Sequence, residues 1–519
     1  MRLAPETDPP ATGAASTGPP VRVLWRLQYC VLALAVVGFA LLQAFEVRAG
    51  QFLGSEWREA DTAAIARNFL SEPDLLYPRI DWGAPGPGYV ETELQLYPFA
   101  VQLLYRLFGP DPRLGQLLSV LLTACSSLVL YRLARRFLPR WPAVLAVAAF
   151  ASSPVLFRFT LAFMPEATAL LFYLLAAERF VCHRQRGRTL PLLAAGLALA
   201  VAILVKPTTI HLGLWCGLVT WRQQGLRAAL APRMLAFGAI ALVPCVLFFW
   251  HAARLHTQYG NTFGVISGGD SKWGGPTWWF DPHFYAELAR IDLWQTFGVG
   301  GSVLAVLGLW LWRCDSFRAV VLIWFGVIFV YYLIIARYAS NETSATHYHI
   351  FTAVPAALAV GAGAAGLNDL CRQHGWSVQG VALVVLLPVM LIVQQVRRDW
   401  LVGLLEELPV FRAAGVELAR LSAPEDLAIV TSTSSRISRG VTDNFEDPRV
   451  LYYAWRHGRM LPADELRAEE LHRLLGIGAR WVVVFDEVLP QAQPDFLAAL
   501  ADLEVAARGA DFTIYRVRA

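Results

Sequence analysis

The sequence predicts a polytopic α-helical membrane protein that ends in a small extracytoplasmic α/β domain. Three observations predict this. Of the 519 residues, 56% are hydrophobic and only 16% are charged. With a mean hydropathy of +0.46, that is more apolar surface than a soluble globule buries. A series of apolar segments of near-bilayer length runs from residue 23 to 396, and from about Arg397 the composition becomes that of a soluble domain. The net charge of +4 is small and its basic residues lie in short clusters, which argues against a nucleic-acid partner.

Residues 1–22, rich in Pro, Ala, Thr and Gly, read as a disordered cytoplasmic tail. Residues 23–45 supply the roughly twenty apolar positions of a first span. Arg22 and Arg26 flank its start, which implies an uncleaved anchor with the N-terminus inside. Segment 94–108 is apolar but short, and Gln95, Pro98 and Gln102 interrupt it. Read as a helix lying in the interface, it keeps the Arg132, Arg135, Arg136 and Arg140 cluster on the same cytoplasmic side as the 183–188 cluster. The positive-inside rule favours that reading. Further spans are expected at 114–133, 141–159, 166–181, 190–205, 208–221, 235–252, 299–312, 320–336, 350–366 and 381–396. With the first, this makes about eleven.

Polar groups collect on the outer face. The first outer loop, 46–113, carries Arg58, Glu59, Asp61, Arg79, Glu91 and Glu93. Around Asp61, Trp57, Ala64, Ile65 and Phe69 recur at helical spacing, so a short amphipathic helix resting on the membrane is expected. Asp61 is the candidate working carboxylate, although an acid on such a helix can also be a plain solvated charge. Glu166 follows Met164 and Pro165 at a helix start, a place that favours an acid on structural grounds alone. Read functionally, it faces the same outer cavity. Lys206, one of only two lysines, stands at the outer end of a span. It can snorkel there or meet a phosphate as a compact charge.

The long loop 254–295 holds Lys272 and the aromatic pair Trp278 and Trp279, suited either to stacking on sugar faces or to a membrane interface. The loop 337–349 offers Arg337, His347 and His349, and two histidines alone are a weak metal signal. In the C-terminal region, strands are expected at 427–431, 481–485 and 512–517, with helices at 410–421, 464–475 and 496–503, and no catalytic signature. No nucleotide-cradling loop and no cysteine motif is present.

Carboxylates, cations and aromatics on an outer membrane face, without a nucleotide site, suit glycosyl transfer from a lipid-linked sugar phosphate. The leaving phosphate departs as an anion, so a general acid is dispensable and one carboxylate serves as base. A cation balances the growing phosphate charge: Lys206, an arginine or a divalent metal.

The stretch from Glu59 to Phe69, then Leu76-Tyr77-Pro78-Arg79-Ile80-Asp81-Trp82, Gly88-Tyr89-Val90-Glu91 and Leu96-Tyr97-Pro98, resembles the GT-C superfamily of integral membrane glycosyltransferases. It is most similar to bacterial relatives of the protein O-mannosyltransferases and the aminoarabinose transferase. The resemblance covers about residues 25–366. It implies inverting transfer from a polyprenyl-phosphate sugar to a lipid, polysaccharide or protein acceptor, at the plasma (inner) membrane, with Asp61 as the first-loop acid. Glu166 stands where many relatives have Asp, and His347-Tyr348-His349 where relatives often have an Arg-Tyr pair. Asp61 and Glu166 are the candidate ligands should a divalent metal, Mg or Mn, take part. Two other classes remain: a lipid or solute transporter, expected to carry polar groups within its spans, and a non-catalytic membrane scaffold.

Overall fold

The computed structural model describes residues 52, 56–266, 268–269, 272–273, 275–312, 314–341, 346–373, 409–438 and 441–518. The expected spans at 23–45 and 381–396 lie outside the described residues.

Helices form where the apolar runs predict them. They are α1 (Glu56–Asn68), α2 (Leu96–Phe108), α3 (Pro112–Ala134), α4 (Arg140–Ala151), α5 (Pro154–Thr160), α6 (Glu166–Arg186) and α7 (Thr189–Val205). After these come α8 (His211–Gln224), α9 (Pro232–Tyr259), α10 (Pro282–Arg290), α11 (Gly298–Leu311), α12 (Asp315–Ile334) and α13 (Ala353–Gln373). Among the described residues, four of them are long and apolar enough to cross a membrane, or six if each bent pair counts as one span.

The segment expected as a single span at 141–159 is bent. Ser152, Ser153 and Pro154 break it into α4 and α5 with a 62° bend. Proline lacks the N–H that would continue the ladder. The loop expected from 254 begins later, because α9 runs on to Tyr259 and Gly260 caps it with φ 76°.

α11 and α13 touch backbone to backbone. A Cβ on Gly308 would lie 1.9 Å from the Ala359 carbonyl oxygen, and one on Gly363 2.1 Å from that of Leu304. Small residues at this spacing let two helices close without a lipid-facing driving force.

The C-terminal residues open with α14 (Pro409–Leu421) and build a five-stranded sheet in the order β4-β1-β5-β7-β6. Its strands are β1 (Leu427–Thr431), β4 (His457–Leu461), β5 (Ala479–Phe485), β6 (Glu504–Arg508) and β7 (Phe512–Arg516), and a short hairpin pairs β2 (Ile437–Ser438) with β3 (Val441–Thr442). β1 lies parallel between β4 and β5, and β7 runs antiparallel between β5 and β6. α15 (Arg449–Ala454), α16 (Ala468–Leu475) and α17 (Pro494–Ala501) complete the set.

This sheet overturns the expectation for α1. The helix does not rest on a membrane face. Ala60, Ala63, Ala64 and Ala66 pack against Tyr97, Val101 and Tyr105 of α2 and Tyr452 of α15, while Ile65 and Phe69 join the C-terminal core with Phe411, Val483 and Ile514. The edge strand β4 also accepts the loop after α1: Gly458 donates its N–H to Asp81 O at 2.9 Å, and its carbonyl accepts from the Ala84 N–H at 3.2 Å. An edge strand gains from being covered in this way.

Candidate active site

α1 places Arg58 and Asp61 one turn apart on one face. Asp61 is only 3% exposed, and its Oδ1 accepts from the Trp82 indole at 3.1 Å. Arg58 pairs with Glu93 and lies over the Phe263 ring, 4.4 Å from its centre. Thr92 donates its hydroxyl to Glu93 Oε2 at 2.9 Å.

Burial pushes the Asp61 carboxyl well above the usual carboxylate range, against the pull of Arg58 and Trp82. Burial also acts to raise Glu93, but Arg58 and then Lys206 outweigh it and hold Glu93 down at about 2. Two carboxylates beside one cavity are thus driven apart, one toward taking a proton and the other toward a fixed charge.

Glu166 opens α6 fully buried, and its Oε1 meets Lys206 Nζ at 2.5 Å. Its other oxygen, Oε2, is buried without a hydrogen-bond partner among the described residues. Lys206 ends α7 in an extended conformation, φ −149° and ψ 97°, as a residue before proline prefers. The ammonium lies 5.2 Å from the Tyr348 ring centre.

Arg58, Asp61, Glu93, Lys206 and His347 line one cavity of about 360 Å³. Lys272, Phe263, Tyr338 and Tyr348 add to its wall, and Ser434, Asp443 and Asn444 reach it from the C-terminal region. Beside it is a second, largely apolar cavity of about 390 Å³, between α7, α8, α9 and α12. Tyr331 lines the apolar cavity and faces Tyr348 of the polar one, with ring centres 6.5 Å apart.

Other candidates lie outside the polar cavity. Glu59 accepts from the Phe163 N–H at 2.6 Å and braces α1 against the chain before α6. Glu91 accepts from the Ile266 N–H at 2.9 Å and the Val265 N–H at 3.3 Å, fixing the loop after α9. Arg79 pairs with Glu72 at 3.2 Å. Arg337 pairs with Asp443 at 2.9 Å and so anchors a cavity residue from behind.

His349 is buried between Asp292, at 2.8 Å, and the Ala339 carbonyl, also at 2.8 Å, so the two histidines do not converge. Trp278 packs against the helical core, and Trp279 donates to Leu333 O at 2.8 Å. Among the described residues, no group of three or more His, Cys, Asp or Glu can hold a metal ion. Asp61 and Glu166 are each engaged at one oxygen, by Trp82 and Lys206 respectively.

Sequence reasoning missed Ser434, Asp443 and Asn444, which no local pattern marks. It also left Lys272 out of the candidate site, though the rarity of lysine in this chain is the signal that points to it.

Residues 95–251 match the family model described as dolichyl-phosphate-mannose-protein mannosyltransferase. The fold matches that of ArnT from Cupriavidus metallidurans in the apo state, with TM-score 0.60 and 18% identity, covering 95% of this chain and 98% of that one. It also matches ArnT from the same organism bound to undecaprenyl phosphate, with TM-score 0.58 and 17% identity over 96% and 98% of the two chains. The oligosaccharyltransferase AglB from Archaeoglobus fulgidus, in complex with an inhibitory peptide and a dolichol-phosphate, matches with TM-score 0.55 and 11% identity, over 96% and 74%. No curated protein matches in sequence. The chain shares the fold of these proteins.

Proposed function

We propose that this protein transfers a sugar from a polyprenyl-phosphate donor to an acceptor by inverting single displacement at the extracytoplasmic face of the plasma membrane. In this reading the N-terminus is cytoplasmic and the α/β domain lies outside. The observation that carries it is the joining of a buried carboxylate of raised basicity, Asp61, with the cations Arg58 and Lys206 around one cavity beside an apolar one.

Trp82 holds one oxygen of Asp61, leaving the second for the acceptor proton. As the acceptor oxygen bonds to the anomeric carbon, its proton passes to Asp61. The carbon–oxygen bond to phosphate breaks, and the polyprenyl phosphate takes the electron pair. Lys206 and Arg58 meet the charge that grows on the phosphate, in a site where few waters screen it. Burial makes Asp61 a stronger base than an exposed carboxylate. The apolar cavity holds the first units of the prenyl chain, and Tyr331 and Tyr348 stand where chain passes into phosphate.

The proposal agrees with the bound undecaprenyl phosphate and dolichol-phosphate of proteins that share the fold. The test is native mass spectrometry of protein gently extracted from its own membrane. A retained polyprenyl phosphate, bare or sugar-bearing, supports the proposal. No retention after exposure to authentic polyprenyl-phosphate sugars overturns it.

A further inference from the structure

The far end of α6 carries a third cavity, of about 390 Å³, that glycosyl transfer does not use. Glu178 in its wall lies twelve residues beyond Glu166, about 18 Å along the helix axis. Six arginines line it: Arg132, Arg135, Arg136, Arg140, Arg179 and Arg186. The lining contains a single carboxylate, Glu178. Arg136 and Arg179 both pair with it, so no carboxylate of the lining is left to face Arg132, Arg135 or Arg186. Arg136 also donates to Gln185 Oε1 at 3.0 Å, and Arg135 to Leu138 O at 2.6 Å, which fixes the rear of the pocket. Arg132 and Arg186 stand exposed at its rim.

What adjoins the rim points to the ligand. Leu117, Leu121 and Leu128 of α3 are exposed, at 41%, 59% and 47%. Their spacing continues to Arg132 four residues beyond Leu128, so one helix face runs as an apolar stripe that ends in a guanidinium. An acyl chain suits the stripe and a phosphate suits the arginines. Guanidinium groups bind phosphate oxygens in pairs.

We propose that this pocket is a binding site for the headgroup of an anionic glycerophospholipid, whose chains lie along the leucine stripe of α3. The inference rests on the membrane placement of the helices and is independent of the transfer reaction. Its role is to fix the basic end of α3 and α6 at the bilayer edge.

The test uses the full chain in nanodiscs of equal parts dioleoylphosphatidylglycerol and dioleoylphosphatidylcholine, read by native mass spectrometry. Wild-type protein is expected to keep phosphatidylglycerol through activation that strips phosphatidylcholine. Arg132→Gln with Arg186→Gln is expected to lower that retention about tenfold, with the thermal unfolding midpoint unchanged because both side chains are exposed. Arg222→Gln with Arg227→Gln removes two exposed arginines outside the pocket and is expected to keep the lipid. Equal loss in both doubles overturns the pocket in favour of diffuse surface charge, and equal retention by wild type and the first double overturns it outright. In a parallel arm, protection of wild type by millimolar inorganic phosphate without retained lipid assigns the site to a soluble phosphate and overturns the lipid source.

Discussion

The two ends of α6 carry charge in opposite ways. At the Glu166 end, positive and negative groups alternate among largely buried side chains: Glu166 with Lys206, Arg58 with Glu93, and Asp61 held by Trp82. At the Arg186 end, six arginines face one glutamate around a pocket with an exposed rim. Mixed signs under low dielectric shift individual groups strongly, and that sets up proton transfer. A single sign at an exposed rim attracts a counter-ion. The two proposals thus place proton transfer at one end of this helix and anion binding at the other.

The sharpest way to break this comparison is Asp61→Asn. It is expected to lower the transfer rate about 10²- to 10⁴-fold, the usual contribution of a positioned base, measured with a polyprenyl-phosphate sugar donor. The same substitution is expected to raise the thermal midpoint at neutral pH, because it removes the need to bury a charge. A variant that folds and keeps the wild-type rate removes Asp61 from the chemistry.

Next in size is Lys206→Ala, which leaves Glu166 buried and unpaired at a cost of about 3–5 kcal/mol. Lys206→Met combined with Glu166→Gln is expected to recover most of that loss in thermal unfolding while remaining poor at transfer. Full recovery of transfer in the double variant would reduce Lys206 to a structural partner.

The pH dependence separates the two carboxylates of the cavity. The folded-state value of Asp61 lies above its ordinary 3.8, so the native state binds more protons than the unfolded chain between the two values, and its contribution to stability falls as pH rises through that window. Transfer follows the opposite sign, failing as pH falls through the raised value. The folded-state value of Glu93, about 2, lies below its ordinary 4.5. Its stability contribution is therefore full above 4.5 and is lost as pH falls through about 2. Glu93→Gln should abolish that acid-side loss in unfolding measured against pH, and Asp61→Asn should leave it in place.

The smallest effect expected is at the other end. Arg222→Gln with Arg227→Gln, both exposed, should change the transfer rate by less than about twofold, as surface substitutions away from a site do. A larger change in that assay would mean the two ends of the helical bundle are energetically coupled.

Much of the helical layout was legible in the sequence, because apolar runs near bilayer length and the prolines that break them are local signals. Pro112, Pro154 and Pro232 each stand at a helix start. Asp61 stood out as a candidate through its loop and its motif. Lys206 stood out because lysine is rare here, although its partner Glu166 lies forty residues away. The environment of α1 was not legible. Trp57, Ala64, Ile65 and Phe69 read as a membrane-resting face until α2 is seen to bury Ala64, and the C-terminal core Ile65 and Phe69. Nor could spacing tell Glu91 and Glu59, which brace backbone N–H groups, from Glu93, which lines the cavity. All three are acids of one loop, and only their partners distinguish them.

By itself the sequence determined the class of molecule and the places of most helices, since each depends on residues close along the chain. Only the tertiary structure decided which charges share a cavity. Asp443 and Asn444 line the same cavity as Asp61 from far along the chain, and Arg337 holds Asp443 in place. Ion pairing and burial act through distance in space, and it is the packing of the sheet onto the first loop that sets those distances.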